Sequence, residues 1–339
     1  MAVTTASDLF TPEVSLEYGR QAFVDSLALM ALMGGPGSPI EVANDPVFAQ
    51  EGQYLSRPIY KRISSLVTKR DLTSVSTVTD LELTGGDEKA VKMHKKIGGV
   101  ARTLDASRVS RSHDEQLSAE IGRQAGEQAA VAVRDSILNA MIGAIAAIAS
   151  TLHTRTSWAA AARTNLSPEE LQSFNNLFGD RQGLISDYIT RSEPMGDMIT
   201  NYLGRGVTGV ADVQLRQRIL KDTLGRNILA MDAAALTTAD AGFDKYHTLA
   251  IGPGAIQMGY SLPLTVYPPF LDTSTEQVLV RWRADFDFWI GIRGMAYQSG
   301  VGGANPTDSV LATSSSWGVI YSDVREVLLG QDTHNYSGN

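Results

Sequence analysis

Three groups of residues in the 339-residue chain could carry chemistry. Gly204-Arg205-Gly206-Val207-Thr208-Gly209 spells G-x-G-x-x-G, the turn that cradles a pyrophosphate in dinucleotide-binding folds. Asp285 and Asp287 stand two apart in an alternating segment. A strand would place them on one face about 6.6 Å apart by rise, a distance at which paired carboxylates can serve glycoside hydrolysis. The third group is the five histidines, His94, His113, His153, His247 and His334.

Context weakens each. A dinucleotide fingerprint leaves a strand and opens a helix. Here Met195, Met198, Ile199, Tyr202 and Leu203 recur at helical spacing before the glycines. The residues after them lack a helical stripe and suggest strand-turn-strand around Thr223–Arg226. The glycines are therefore expected in a loop, and a nucleotide-binding enzyme using Gly204–Gly209 is the disfavoured alternative. Arg281 and Arg283 precede the two aspartates on the same face, so a charge ladder against a neighbouring strand is expected there. No histidine has a second ligand at metal spacing. H-E-x-x-H, G-x-S-x-G and a P-loop are all missing, and residues 252–259 fail the dinucleotide spacing. A protein with no catalytic centre, cofactor or bound metal is expected.

Composition points the same way. Charged residues are 19% of the chain, below the usual share of about 25%, so much surface should be buried internally or against other subunits. The formal net charge of −8 disfavours specific nucleic-acid binding. With no cysteine, neither a disulfide nor a thiolate metal site can form, which fits a reducing cytosol. The polar N-terminus lacks the basic and apolar regions of a signal peptide. The most apolar stretch, residues 137–149, falls short of the roughly 20 residues of a membrane span and is expected to be a buried helix.

The elements that would position these residues follow from periodicity. Residues 12–33 suggest a helix with Pro12 in its first turn and Thr11 as cap, ended by Gly-Gly-Pro-Gly-Ser-Pro at 34–39. An N-terminal arm on a hinge and a plain core helix are equally compatible with it. Residues 52–98 are rich in Val, Thr, Ile and Ser around a Gly-Gly turn and hold few large apolar side chains. They suggest a long two-stranded extension whose removal, over 55–97, would leave the core folded. Its Lys61, Arg62, Lys69, Arg70, Lys89, Lys92, Lys95 and Lys96 would form a solvated face or pair with carboxylates of a neighbour.

The strongest local signal is a helix over about 113–150, opened by the capping box Ser112-x-x-Glu115 and on the order of 55 Å long. Leu117, Ile121, Ala125, Ala129, Val133, Ile137, Met141 and Ile145 recur in steps of four. Each step overshoots a full turn by about 40°. The stripe winds round the helix, so different partners must cover it at different heights. A second capping box at Ser167-Pro168-Glu169-Glu170 starts a helix burying Leu171, Phe174 and Phe178 and ending at Gly179. Residues 184–190 suggest a strand and 192–203 a helix. Over 277–297 Val278, Val280, Trp282, Ala284, Phe286, Phe288, Ile290 and Ile292 point one way; Arg281, Arg283, Asp285, Asp287 and Arg293 point the other, with Trp289 the exception. A strand that long is bent, or it lies as a rail beside the long helix.

Residues 302–317, GGANPTDSVLATSSSW, and 246–256, YHTLAIGPGAI, together with this order of elements, resemble the major capsid proteins of tailed bacteriophages. The resemblance implies an α+β fold with an N-arm (1–51), an extended two-stranded loop (52–98) and a peripheral domain with the spine helix (99–183). An axial domain (184–270), the peripheral β-arm (271–316) and an axial strand with C-terminal tail (317–339) would follow. It implies a structural protein whose copies form hexamers and pentamers of an icosahedral head. That head would enclose double-stranded DNA without binding it specifically and without a membrane, would be built in the host bacterial cytoplasm and would end in the virion. Lys61, Arg62, Lys69, Arg70, Arg281, Arg283, Asp285 and Asp287 become interface candidates, and Gly204, Gly206 and Gly209 an axial loop near the ring centres. Some relatives carry a cleaved scaffolding segment of about a hundred residues, for which this sequence has no room; a separate scaffolding protein is expected, with a portal protein and, as an option, a cement protein. A host-encoded, encapsulin-like cargo compartment is the alternative within the same fold.

Overall fold

The computed structural model describes residues 12–26, 32–35, 37–42, 54–61, 84–103, 114–148, 153–156, 166–204, 219–221, 225–240, 243–267, 270–274, 278–321 and 323–337. Helix α1 is Pro12–Ser26, and β1 (Met33–Gly34) and β2 (Ile40–Val42) follow. Next come β3 (Tyr54–Tyr60), β4 (Gly85–Thr103), the long helix α2 (Asp114–Ala147) and β5 (Thr154–Thr156). Helix α3 (Pro168–Asn175), β6 (Asp187–Thr190), α4 (Ser192–Gly204), β7 (Ile219–Lys221) and β8 (Asn227–Ala230) occupy the middle of the chain. The strands β9 (Thr237–Asp240), β10 (Phe243–Ile251), β11 (Ile256–Val266), β12 (Phe270–Asp272) and β13 (Leu279–Ile292) come after. The chain closes with β14 (Met295–Tyr297), the short helices α5 (Ser299–Gly302) and α6 (Asp308–Leu311), β15 (Trp317–Val319) and β16 (Leu329–Ser337).

Among the described residues the strands form two sheets that share α2. In the nine-stranded sheet the order is β1-β2-β11-β13-β4-β14-β15, with β12 on β13 and β3 on β4. Its axis is the antiparallel pair β4/β13, in register from Leu279↔Thr103 to Ile290↔Val91. One bulge interrupts it between Trp282 and Arg283. Gly98 sits there at φ 120°, and a side chain on it would press on the Arg283 backbone, so glycine is required. The seven-stranded sheet runs β5-β16-β10-β6-β8-β7, with β9 on β10. The turn at 252–255 carries the chain from one sheet to the other, and Gly252 N–H donates to the Leu328 carbonyl at 2.9 Å beside the second crossing.

The winding stripe on α2 meets several partners, as its step of four requires. Near its start Ile121 and Ala125 pack with Val280, Trp282 and Ala284 of β13. A second side of the same turns meets α1 at backbone distance. A Cβ on Gly122 would overlap the Ser15 carbonyl, and one on Gly126 the Gly19 carbonyl. Ser15 Oγ donates to the Ser118 carbonyl at 2.8 Å inside this contact. Gly122-x-x-x-Gly126 thus acts as a groove into which α1 is laid, since glycines four apart fall on one face. Further along, Val133, Ile137, Met141, Ile145 and Ile148 enter the main core with Phe286, Phe288 and Ile290 of one sheet and Ile189, Leu249 and Leu329 of the other. Burial of each such side chain stabilises by roughly 1.5–3 kcal/mol. The stretch Gln116–Ala147 is long and apolar enough to cross a membrane by composition, but these apolar residues are covered by the protein itself.

The far face of the seven-stranded sheet is covered by α3 and α4 through Leu171, Phe174, Phe178, Tyr188, Met195 and Met198. Ser167 caps α3 by accepting from Glu170 N–H at 3.3 Å. The helix expected to run to Gly179 ends at Asn175, and the chain continues as 3-10 turns to Leu184, broken at Gly179 with φ 55°.

Four sequence expectations shift. Of the helix expected over 12–33, Pro12–Ser26 is helical and docked on the spine, residues 27–31 lie outside the described residues, and Met33 already belongs to β1. The extension over 52–98 is not separable from the core. β3 and residues 85–91 form a ribbon, but Val91 and Met93 are fully buried and β4 is the centre of the larger sheet. Removing 55–97 would therefore unfold it. Residues 256–270, grouped by sequence with 184–255, pair instead with β13. The last strand is divided. Trp317–Val319 joins β14 because the Trp317 ring is buried against Tyr297, with its Nε1 donating to the Leu311 carbonyl at 2.8 Å. Leu329–Ser337 closes the other sheet against β10.

The α1 contact is testable. Gly126→Val should drive a branched side chain into the Gly19 backbone and lower unfolding free energy by about 1–3 kcal/mol in guanidinium titration. Gly196 in α4 is exposed, and a methyl group there would meet no heavy atom within 4 Å. Gly196→Ala should raise stability by about 0.4–1 kcal/mol. Equal effects of the two substitutions would contradict the close-approach role of Gly126.

Candidate assembly surface

The charged face of β13 is satisfied largely within its own chain. Arg281 Nη2 lies 2.7 Å from Asp272 Oδ2 on β12. Ser274 donates to the Asp272 carboxylate from both its hydroxyl and its backbone, and with Arg281 these bonds hold that carboxyl below the ordinary aspartate range. The Arg283 guanidinium stacks over the Tyr267 ring at 4.5 Å. Asp287 faces its register partner His94, with Nδ1 3.0 Å from Oδ2. Asp285 stands opposite Lys96 on one side and Thr265 on the other, and its Oδ1 is buried without a hydrogen bond. The two aspartates thus have different neighbours, and no cluster of three metal-ligating groups occurs among the described residues. The chemistry available to this face is pairing and stacking.

The ribbon places the other candidates. Lys61 N–H donates to the Thr84 carbonyl at 2.9 Å, closing the last described rung beyond Tyr60↔Gly85. Arg62, Lys69 and Arg70 lie outside the described residues, between the two ribbon strands in sequence. Gly204 is the last residue of α4, so the glycine string does leave a helix. Gly206 and Gly209 lie outside the described residues. The antiparallel pair β7/β8 that follows, turning through Gly225, is the strand-turn-strand that the sequence suggests.

Sequence reasoning missed the apolar surface. Tyr60 is 77% exposed at the outer end of the ribbon, where β4 begins. Phe270, Leu271 and Val100 are exposed at the opposite end, where β12 and β13 meet the last residues of β4. A groove of about 270 Å³ between α1, α2 and β11 is lined mainly by Phe23, Val24, Ala129, Tyr260, Leu264 and Phe286. Alternation alone gave no signal, because Tyr60 and the pair Phe270 and Leu271 stand on strands without a fully buried face, β3 and β12, where an apolar residue does not mark the core side.

A second polar group lies inside the seven-stranded sheet. His247 contacts Thr238 Oγ1 at 2.8 Å and Thr333 Oγ1 at 3.1 Å. His334, wholly buried, lies 3.5 Å from the equally buried Asp332 carboxylate, which Arg155 approaches at 3.8 Å. Arg155 also pairs with Glu170 of α3. The His153 ring contacts the Leu329 carbonyl at 2.6 Å. Burial lowers the pKa of all three imidazoles, to about 4 for His247 and about 3 for His334. They are buried as neutral rings.

Residues 44–327 match a family model described as Gp13-like, major capsid protein 13-like. No curated protein sequence matches. Among solved structures, the chain is similar to the capsid asymmetric unit of cyanophage Pam1, at 12% identity over 93% of this chain and 94% of that one, with a TM-score of 0.59. It is similar to the capsid of Ralstonia phage GP4, at 11% identity, 80% and 86% coverage and a TM-score of 0.54. The head structure of Helicobacter pylori bacteriophage KHP40 matches at 9% identity, 90% coverage of each chain and a TM-score of 0.52.

The neutral histidines predict acid sensitivity. Unfolded imidazoles bind protons near pH 6.5, whereas folded His247 and His334 do so only near 4 and 3. Their depressed values mean that stability is complete above 6.5 and falls as pH drops through that window. Two such groups give a slope of roughly 2–3 kcal/mol per pH unit between 6 and 4. Unfolding titrations of the unassembled chain should show this contribution on top of that of His153, and His334→Leu should remove about half of it. An unchanged slope in that variant would refute it.

Proposed function

The chain belongs to the Gp13-like major capsid protein family, and on that premise we propose that many copies of this phage-head structural protein close as hexamers and pentamers into an icosahedral shell around double-stranded DNA. The observation that carries this is a core-anchored ribbon with exposed apolar residues at both ends of its 19-residue strand β4. Apolar side chains at the extremities of a long rail are covered best by neighbouring copies. Contacts between unlike surfaces of identical subunits give rings when the rotation between copies closes, and the acquired burial makes stability depend on assembly.

In this proposal α1 and the residues before it form the N-arm, docked on the spine. The β3/β4 ribbon with residues 62–83 is the extended loop. The nine-stranded sheet with α2 is the peripheral domain, and the seven-stranded sheet with α3 and α4 is the axial domain. The loop after Gly204 faces the ring centres. Lys61, Arg62, Lys69 and Arg70 would meet carboxylates of adjacent copies. The acidic chain, at net charge −8, would line DNA without gripping it, because strong cationic contacts would release counterions and hold the duplex. Assembly would occur in the host cytoplasm with a separate scaffolding protein and a portal, and the shell would reside in the virion.

Electron microscopy of the chain co-expressed with its scaffold should show large closed shells, and the purified shells should bind duplex DNA only weakly at physiological salt. A small discrete oligomer would overturn the assembly proposal, and tight duplex binding would overturn the passive wall. Lys61 and Thr84 are hydrogen-bonded neighbours, so residues 62–83 can be replaced by a short Gly/Ser turn. That variant should keep the wild-type unfolding midpoint within a few degrees and fail to form shells. Normal shells from it would show that the extended loop is dispensable.

A further inference from the structure

The outer strands of the larger sheet differ in length. Among the described residues β1 has two residues, and β12 and β15 have three each, too short to template a partner strand. β3 has seven, with Ser56, Arg57 and Pro58 exposed in a row, and no described strand lies beyond it. One bond fixes the orientation of its backbone. Lys61 N–H donates to the Thr84 carbonyl, and antiparallel rungs alternate between bonded and non-bonded pairs. Down the unbroken register Ile59↔Gly86, Arg57↔Glu88 and Leu55↔Ala90 are then the bonded pairs. Ser56, Pro58 and Tyr60 turn their backbone groups to the outer edge. Proline has no N–H, so that edge lacks a donor between Ser56 and Tyr60.

The second edge is on β4. Thr84, Gly86, Glu88 and Ala90 face β3, and β3 ends at Tyr54↔Val91. By the same alternation the His94 N–H points to the side that β3 has left. It donates to Asn305 Oδ1 at 2.9 Å. Asn305 is the one non-glycine residue with positive φ among the described residues, at 49°, a conformation that asparagine tolerates. Its loop is anchored three residues on, where Asp308 accepts from Ser136 Oγ at 2.6 Å and pairs with Lys95 Nζ at 3.2 Å. A side-chain amide thus stands where the rung of another strand would be. His94 and Asn305 are both exposed, so an incoming strand could reach that rung. We propose that Pro58 and Asn305 close these two edges to strand addition by a second copy of the chain, leaving copies to meet through side chains. Each withholds a backbone donor that an added strand would use. The guard belongs to the single chain and does not depend on shell formation.

The test follows association of the full-length chain without scaffold, by light scattering and by the infrared amide signal of intermolecular strands. Pro58→Thr restores an outward N–H, and Asn305→Gly keeps the positive φ while removing the amide. Each should raise the rate of association roughly fivefold, the factor that one net backbone hydrogen bond gives. The intermolecular strand signal should rise with it, and the unfolding midpoint should stay within a few degrees of the wild type. The two effects should multiply in the double variant, since the edges are separate. Ser56→Pro, at another outward position, should fold as the wild type does and associate no faster. Arg57→Pro, which removes an inward N–H, should lower the midpoint clearly. Either guard variant associating at the wild-type rate would overturn the guard at its own edge. Faster association without the strand signal would do the same. Equal loss of midpoint in Ser56→Pro and Arg57→Pro would overturn the assigned orientation of β3. If Pro58→Thr does not fold, Pro58→Ala restores the same N–H with a smaller side chain and decides the point.

Discussion

Everything in this fold is hung on a helix whose apolar residues do not stay on one side. A stripe that advances about 40° every four residues cannot be buried by one flat sheet. The molecule answers by covering the first turns of α2 with α1 on one side and the larger sheet on another, and the later turns with both sheets. The two sheets therefore need few contacts with each other. They are held in a common frame because both bury side chains on the same rod. The same logic explains why α1 can lie so close. Gly122 and Gly126 remove two side chains where the stripe has turned away toward β13, and the backbone of α1 fills the space. Close packing of this kind depends on shape, so a single added carbon is felt.

Much of this is legible in the sequence, and what is not has identifiable causes. The long helix, the alternating strand over 279–292 and the helix before Gly204 follow from periods of 3.6 and 2 in long segments. The glycine groove escapes a stripe read by hydrophobicity, in which glycine is silent. Its signal is present as Gly122-x-x-x-Gly126. The strand Leu329–Ser337 lies later than the sequence suggests because its residues, LGQDTHNYS, are polar. Strands are usually recognised by apolar alternation. Here Asp332, Thr333, His334 and Asn335 are all buried, so polarity reports a polar interior, not a surface. The ribbon misleads for the opposite reason. Lys89, Lys92, Lys95 and Lys96 make β4 look solvated, yet the alternate residues Val91 and Met93 sit in the core, and even Lys92 is mostly buried.

The buried polar interior of the smaller sheet also has a physical consequence for its partners in the core. A buried polar group must be paired or it destabilises. His247 meets threonines on two strands, β9 and β16, and Asp332 meets Arg155 of β5 and His334 of its own strand. These contacts link β5, β9, β10 and β16 at specific registers. A slip by one residue would turn His247, Asp332 and Thr333 to the opposite face and break these contacts. Register is thus enforced by polarity in this sheet, whereas in the larger sheet it is enforced by apolar alternation and by the bulge at Gly98.

The distribution of charge then constrains how copies of the chain can recognise one another. Arg281, Arg283 and Asp287 already have partners on β12, on Tyr267 and on β4. Breaking such a pair to form another across a subunit boundary would exchange like for like, and exposed pairs contribute only about 0–1 kcal/mol each. Little net attraction between subunits can come from this ladder. Exposed aromatic and aliphatic side chains have no such internal alternative. Among the described residues none covers Tyr60 at one end of β4 or Phe270 and Leu271 near the other, and a neighbouring copy that did so would gain roughly 25 cal/mol for each Å² covered. The ladder therefore stiffens the rail within one subunit, and the apolar ends of that rail carry the association in the proposed shell.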